Sequence, residues 1–410
     1  MGTRPEAIKM MPVVREINRR NDRFDHTLIV TAQHRELLDQ VLEVFEIKPD
    51  IDLALMQQNQ SLGGFASRAL ARLFDLFSIL KPDAILIQGD TTTVAVGALA
   101  AFYNGAVIGH VEAGLRSFDA RNPFPEEMNR RIASCLADLH FAPTQQARIN
   151  LLREGVPQEK VFVTGNTIVD ALRSIPLRES FDNEHLNRVD FQGKRVLLMT
   201  AHRRENHGPR LRSICRALQS IVAGFGDVEI VYPVHPNPNV SAVVHEELDG
   251  LPAIHLIDPV SYSDLLRLMS RCYFVLTDSG GIQEEAPSFD RPVLVLRDKT
   301  ERPEIIEVGA GRLVGTDADQ IMQAASLILT DPSQYAAMSA ADNPFGDGHA
   351  AERIVTLFEA RLDGSAQPQP EHAYQMVESL ITGEVANRAM MVKGQSAPAN
   401  PSSRPLWGTG

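Results

Sequence analysis

Cysteine is scarce here: three residues in 410, Cys135, Cys215 and Cys272, far apart in the chain. None has a CxxC or Cys/His neighbour at zinc-site spacing, so neither a disulfide framework nor a structural zinc site organises the fold. Free thiols in a reducing cytoplasm are expected, and no metal. No apolar run reaches the ~18 residues of a membrane span, and no secretory leader opens the chain. A soluble cytosolic protein without a membrane partner is the expectation. Excess positive charge is also missing. Forty Lys and Arg against 52 Asp and Glu give a net charge of −12, which excludes a general nucleic-acid surface. No G-x-G-x-x-G follows a strand, and there is no G-x-x-x-x-G-K-[ST]. A tightly held nicotinamide and an ATP-type phosphate loop are both unsupported.

What is present is alternation. Apolar runs at 26–32, 84–89, 106–111, 139–144 and 161–165 read as strands, separated by helical patterns at 35–46, 61–80, 92–104, 124–138 and 145–154. The pattern resumes at 195–200, 228–234, 254–258, 273–278 and 292–297. Near-continuous apolar strands joined by helices indicate parallel sheets covered on both faces. The polar stretch 176–194 divides the two sets. The expected fold is therefore α/β, with two Rossmann-like doubly wound domains facing across a cleft. Residues 1–165 form an amino-terminal, acid–base domain and 166–349 a carboxyl-terminal, phosphate-side domain. A closing helix follows at 350–362. The tail 363–410 is rich in Pro, Ser and Gly and is expected to be disordered.

In open α/β sheets, ligands bind beyond the carboxyl ends of the strands. Asp90, Glu112, His202, His235 and Ser279 each follow a strand directly. Any one could be a helix cap, but five at five strand ends point to a shared site. "TDSGGIQEEA" carries an anion site: Gly280 and Gly281 admit close backbone approach, Ser279 adds a hydroxyl, and helix N–H groups follow. A tight turn with Ser279 as N-cap is the competing reading. Glu285, one turn on, suits ribose hydroxyls. Arg4 and Lys9 from "GTRPEAIKM" and Arg302 from "RDKTERPE" supply positive charge. Glu126 opens the 124–138 helix, where it could act as an acid–base group or simply favour the helix dipole. Glu127 is read as the latter. Crowded carboxylates push one another's pKa apart, so Asp90, Glu112 and Glu126 together suit proton removal and return at one carbon.

The motifs "GTRPEAIKM", "TAQHRELLDQVL", "GDTTT", "GHVEAGLRS", "PFPEEMNRR", "TAHRREN", "VYPVHPNPNV", "LTDSGGIQEEAPS" and "RDKTERPE" occur in this order within residues 2–362. In this the chain resembles the non-hydrolysing UDP-N-acetylglucosamine 2-epimerases. The resemblance implies a glycosyltransferase-B-like fold, a homodimer, and a UDP-sugar substrate epimerised without added cofactor. It implies loss of UDP to give a 2-acetamidoglucal, then re-addition. By motif, Asp90, Glu112 and Glu126 would be the acid–base groups and His202 would assist the diphosphate. Arg4, Lys9, Ser279, Gly280, Gly281 and Arg302 would hold UDP, and Glu285 the ribose. Gln33, His34, Arg203 and His235 match motifs that bind a second, activating substrate in some bacterial members. A 2-epimerase for a modified UDP-amino sugar and a retaining glycosyltransferase of the same fold are the alternatives.

Three departures stand out. Leu265 occupies a region where an aromatic often meets uracil. Asn59 stands where some activator-regulated members carry Arg. The apolar strand that should precede the Gly-Thr-Arg-Pro-Glu turn is lacking. Such a strand is central, and its loss would remove about four buried side chains worth ~1.5–3 kcal/mol each. The expectation is a sheet interrupted at its middle, and a true start lying upstream. If the chain is active as written, the apolar residues of 373–392 are the first candidates to fill the gap.

Overall fold

A computed structural model describes residues 1–31, 41–57 and 60–364. Within them, the amino-terminal unit runs α1 (Arg4–Arg19), β1 (Ile29–Val30), β2 (Ile51–Asp52), α2 (Leu62–Leu80), β3 (Ala84–Gln88), α3 (Thr92–Tyr103), β4 (Val107–Val111), α4 (Glu126–Leu136), β5 (Leu139–Ala142), α5 (Gln145–Arg153) and β6 (Val161–Val163). Helix α6 (Thr167–Ser174) leads into the second unit. That unit contains β7 (Arg195–Thr200), α7 (Pro209–Gly224), β8 (Val228–Pro233), α8 (Pro238–Leu248), β9 (Ile254–Ile257), α9 (Tyr262–Arg271), β10 (Phe274–Thr277), α10 (Gly280–Glu285) and β11 (Val293–Val295). It continues through α11 (Pro303–Glu307), β12 (Gly311–Leu313), α12 (Ala318–Thr330) and α13 (Pro332–Ser339), and α14 (Ala350–Leu362) closes the described chain.

All strand pairings among the described residues are parallel. The second unit has one six-stranded sheet in the order β12-β11-β10-β7-β8-β9. Its central strands are buried along almost their whole length, with only Arg195 at the start of β7 partly exposed, which is why they read as near-continuous apolar runs rather than alternations. Strand β12 and helices α12 and α13 were not singled out by the sequence pattern.

The amino-terminal sheet is in two pieces, β1-β2 and β3-β4-β5-β6. Of the strand expected at 26–32, the described residues form a strand at Ile29–Val30. Met1 runs beside β1: its amine donates to the Ile29 carbonyl at 3.0 Å and its carbonyl accepts from the Thr31 N–H at 2.9 Å. The chain then turns at Gly2 into α1. A β-carbon at Gly2 would lie 2.4 Å from Thr31 Oγ1 and 2.6 Å from Thr93 Oγ1, so the turn is wedged where only glycine fits. The tail from 365 onward, including 373–392, lies outside the described residues.

Helix α14 crosses back onto the first unit. Ile354, Val355, Leu357 and Phe358 are buried, contributing ~1.5–3 kcal/mol each. Arg20 pairs with Glu359 at 3.0 Å, and Asp170 on α6 accepts from the Ala351 N–H at 2.8 Å, capping the helix from the other crossover. No helix among the described residues is long and apolar enough to cross a membrane.

Candidate active site

The carboxyl ends of β3, β4, β7, β8 and β10 open on one cleft of about 900 Å³ between the two units. It is lined by Arg4, Lys9, Asp90, Glu112, Glu126, His202, His235, Ser279, Gly281, Glu285 and Arg302. Gly280 and Arg203 are not on its wall; a β-carbon at Gly280 would lie 3.4 Å from Arg203 Nη2. Gln33, His34 and Asn59 lie outside the described residues. Of the four residues expected at a second substrate site, His235 thus sits in the first cleft. Its ring stacks on His202, with centroids 5.7 Å apart. Arg203 lies 3.9 Å from Glu301.

On the amino-terminal wall, Asp90 ends the turn after β3 and pairs with Arg130 Nη2 at 2.5 Å, while Asn129 Nδ2 donates to the Asp90 carbonyl at 2.9 Å. Both partners come from α4, so this helix aims Asp90 into the cleft. Glu126 is the first residue of α4, and its Oε2 is buried without a hydrogen-bond partner among the described residues. Glu127, read from the sequence as favouring the helix dipole, is fully buried. It accepts from the Ser117 N–H at 3.0 Å and pairs with Arg130 at 3.3 Å. Its role is to hold the loop before α4 and the arginine that holds Asp90.

Glu112 follows β4 with φ +63°, an uncommon backbone conformation for a non-glycine residue. One carboxylate oxygen takes Lys9 Nζ at 2.6 Å and the other accepts from Gln88 Nε2. Lys9 also lies 2.9 Å from Glu284 Oε2, and Arg302 Nε lies 2.6 Å from Glu284 Oε1. Burial raises the pKa of Glu112 more than Lys9 lowers it. Burial works the same way on Glu284, but Lys9 and Arg302 together outweigh it and hold Glu284 below the ordinary value. The difference has a plain cause: the two carboxylates share one ammonium, and the arginine sits with Glu284.

On the opposite wall, Asp278 is completely buried at the end of β10. It accepts from the backbone N–H groups of His202 and Arg203 and from Asn206 Nδ2 at 2.9–3.1 Å. His202 Nδ1 is 3.6 Å from Asp278 Oδ1. Burial lowers the His202 pKa, with Asp278 opposing. Ser279 occupies the N-cap position of α10, as the competing reading had it, but its hydroxyl makes no capping hydrogen bond. Gly281 has no positive φ, and a β-carbon there would meet only Ser279 Oγ, at 3.9 Å. Protein packing and backbone conformation do not require glycine at this point of the wall. Glu285 accepts from Tyr262 Oη at 3.0 Å, and burial pushes its pKa up to about 7. The Arg4 guanidinium lies 5.1 Å over the Tyr262 ring, bringing α1 to the carboxylate expected at the ribose. Leu265 lines the same end of the cleft.

The family model for UDP-N-acetylglucosamine 2-epimerase matches residues 15–359. The chain belongs to the UDP-N-acetylglucosamine 2-epimerase family. The Bacillus subtilis UDP-N-acetylglucosamine 2-epimerase is 50% identical over 354 residues, covering 86% of this chain and 92% of that protein. Among solved structures, the epimerase from Neisseria meningitidis bound to UDP-N-acetylglucosamine is 43% identical, with a TM-score of 0.80 over 87% of this chain and 97% of that one. The Methanocaldococcus jannaschii epimerase in complex with UDP-N-acetylglucosamine and UDP is 36% identical, with a TM-score of 0.72, covering 87% of this chain and 97% of that one. Gln88, Arg130, Asp278 and Glu284 are the site residues of this epimerase family member that motif reading passed over. Asp278 and Glu284 lay inside "TDSGGIQEE" and Arg130 inside "PFPEEMNRR", stretches already singled out for other residues.

Proposed function

We propose that this chain interconverts UDP-N-acetylglucosamine and UDP-N-acetylmannosamine by eliminating UDP and adding it back. The observation that carries the reading is the single cleft in which Asp90, Glu112 and Glu126 from one unit face His202, Ser279, Gly281 and Arg302 from the other. The C2 proton is not next to a carbonyl, so it is lost together with the C1–O bond to the diphosphate. A carboxylate takes the proton, the C1–C2 double bond forms, and UDP leaves with the electron pair of the broken bond. A second carboxyl group then delivers a proton to the opposite face of C2, and the diphosphate oxygen re-forms its bond at C1. Arg4, Lys9, Arg302 and the Ser279–Gly281 turn hold the diphosphate through both steps, His202 assists its departure and return, and Glu285 holds the ribose. Glu112, pushed upward by burial, suits the role of proton holder.

The test is an NMR time course with UDP-N-acetylglucosamine in deuterated water. Product carrying deuterium at C2 supports the reading. Free sugar, transfer to an acceptor, or no reaction refutes it.

We propose further that two copies pair through α2 and α3, where Phe74, Ile79, Phe102 and Tyr103 are exposed and Phe74 meets Tyr103 edge to face at 6.5 Å. The cytoplasm suits the free cysteines. Burial pushes the thiols of Cys215 and Cys272 up to about 12, which keeps them protonated and unreactive.

A further inference from the structure

Four charges alternate along the floor of the cleft: Glu112, Lys9, Glu284 and Arg302. Two come from each unit, and the join between units is the Lys9–Glu284 ion pair at 2.9 Å. Arg302 alone, at 2.6 Å, would pair a buried carboxylate, yet the second oxygen of Glu284 reaches across to a lysine already 2.6 Å from Glu112. The side chain of Glu284 is 1% exposed, so little water screens this competition.

We propose that Glu284 is a positioning residue for the epimerase reaction: by taking a share of Lys9 it keeps that ammonium from pairing fully with Glu112, and so sets how readily Glu112 releases its proton. This rests on the acid–base reading of Glu112 given above. The charged groups that bear on Glu112 are Lys9 from α1, Glu284 from α10, and Arg302 from the turn into α11. Its neighbour across β3, Gln88, is a neutral donor. Arg4 and Lys9 also act on Glu285, the next carboxyl along α10, and Asp90 is paired with Arg130. Glu284 is therefore the anion that competes for Lys9. Its charge acts with burial to raise Glu112, while Lys9 and Arg302 oppose.

Two variants of the full chain test this with opposite signs. In Glu284→Gln the competing anion is gone, Lys9 turns wholly to Glu112, and Glu112 titrates at lower pH. In Arg302→Gln, Glu284 loses its second cation and draws more on Lys9, and Glu112 titrates at higher pH. Carbon-13 carboxyl NMR of glutamate-labelled protein reads the titration directly, with the Glu112 signal assigned from its loss in Glu112→Gln. In parallel, the limb of the kcat profile that follows Glu112 moves to lower pH in Glu284→Gln, and Glu284→Asp, which keeps the charge, restores it. An even loss of kcat at all pH values with the Glu112 titration unmoved would overturn the inference and leave Glu284 as packing. If the wild-type chain does not epimerise, the functional reading fails, while the NMR titration still decides the electrostatic one. Should Glu284→Gln not fold, the upward shift in Arg302→Gln carries the decision, and its absence is equally fatal.

Discussion

Gly281→Ala pits stability against ligand binding at a single atom. The second position of α10 has ordinary helical backbone, and the added β-carbon would find nothing nearer than Ser279 Oγ at 3.9 Å. The folded chain accommodates the methyl group without strain, and the unfolded chain loses conformational freedom. The gain is ~0.4–1 kcal/mol. For a unit of this size that raises Tm by ~1–4 °C. The methyl group points from the wall of the cleft, where the diphosphate is proposed to meet the backbone N–H groups of the turn. Losing one charge-assisted hydrogen bond there costs ~1.5–3 kcal/mol, a ~10- to 100-fold weaker affinity for UDP. Differential scanning fluorimetry without ligand and calorimetric titration with UDP measure the two halves independently. Unchanged UDP affinity beside a raised Tm would refute the placement of the diphosphate at this turn. A Tm lowered by several degrees would refute the open space at Gly281. Only a stabilised protein that binds UDP poorly fits both parts of the argument.

Other expectations follow from the same cleft and its surroundings. Asp278→Asn replaces a buried acceptor of three N–H donors by an amide that cannot satisfy them all. It should cost ~2–4 kcal/mol in urea unfolding, and nitrogen-15 NMR should find His202 titrating at still lower pH, because the opposing carboxylate is gone. Glu285 keeps its proton to about pH 7 when folded but loses it near 4.5 when unfolded, so it withdraws stability as pH rises through that window and the loss persists above it. Glu285→Gln should therefore match the wild type at pH 4, exceed it by ~1–3 kcal/mol at pH 8, and bind UDP more weakly. If the proposed pairing holds, the wild type should sediment as a dimer and Phe102→Glu or Ile79→Glu, at exposed positions of α3 and α2, as a 45.2 kDa monomer.

The strand-end carboxylates and imidazoles were legible before any coordinates, because a parallel sheet fixes which end of each strand carries chemistry. An apolar run that stops at Asp90, Glu112, His202 or Ser279 declares both the strand and its active end. The ordered motifs named the family for the same local reason, since each is a turn with its own backbone demands. What tertiary structure decided were the partners. Arg130 aims Asp90 from α4, Asp278 carries the His202 loop from a neighbouring strand, and Glu284 reaches a lysine near the opposite end of the chain. No local pattern marks such pairs, because an ion pair is chosen by distance and burial rather than by spacing. Glu284 and Glu285 are adjacent in one motif, yet the first stays charged against Lys9 and Arg302 while the second, facing a tyrosine hydroxyl, is pushed up to about 7. Sequence made them two glutamates in a row. The folded environment buries both but pairs only the first directly with two cations, and so gave them opposite electrostatics.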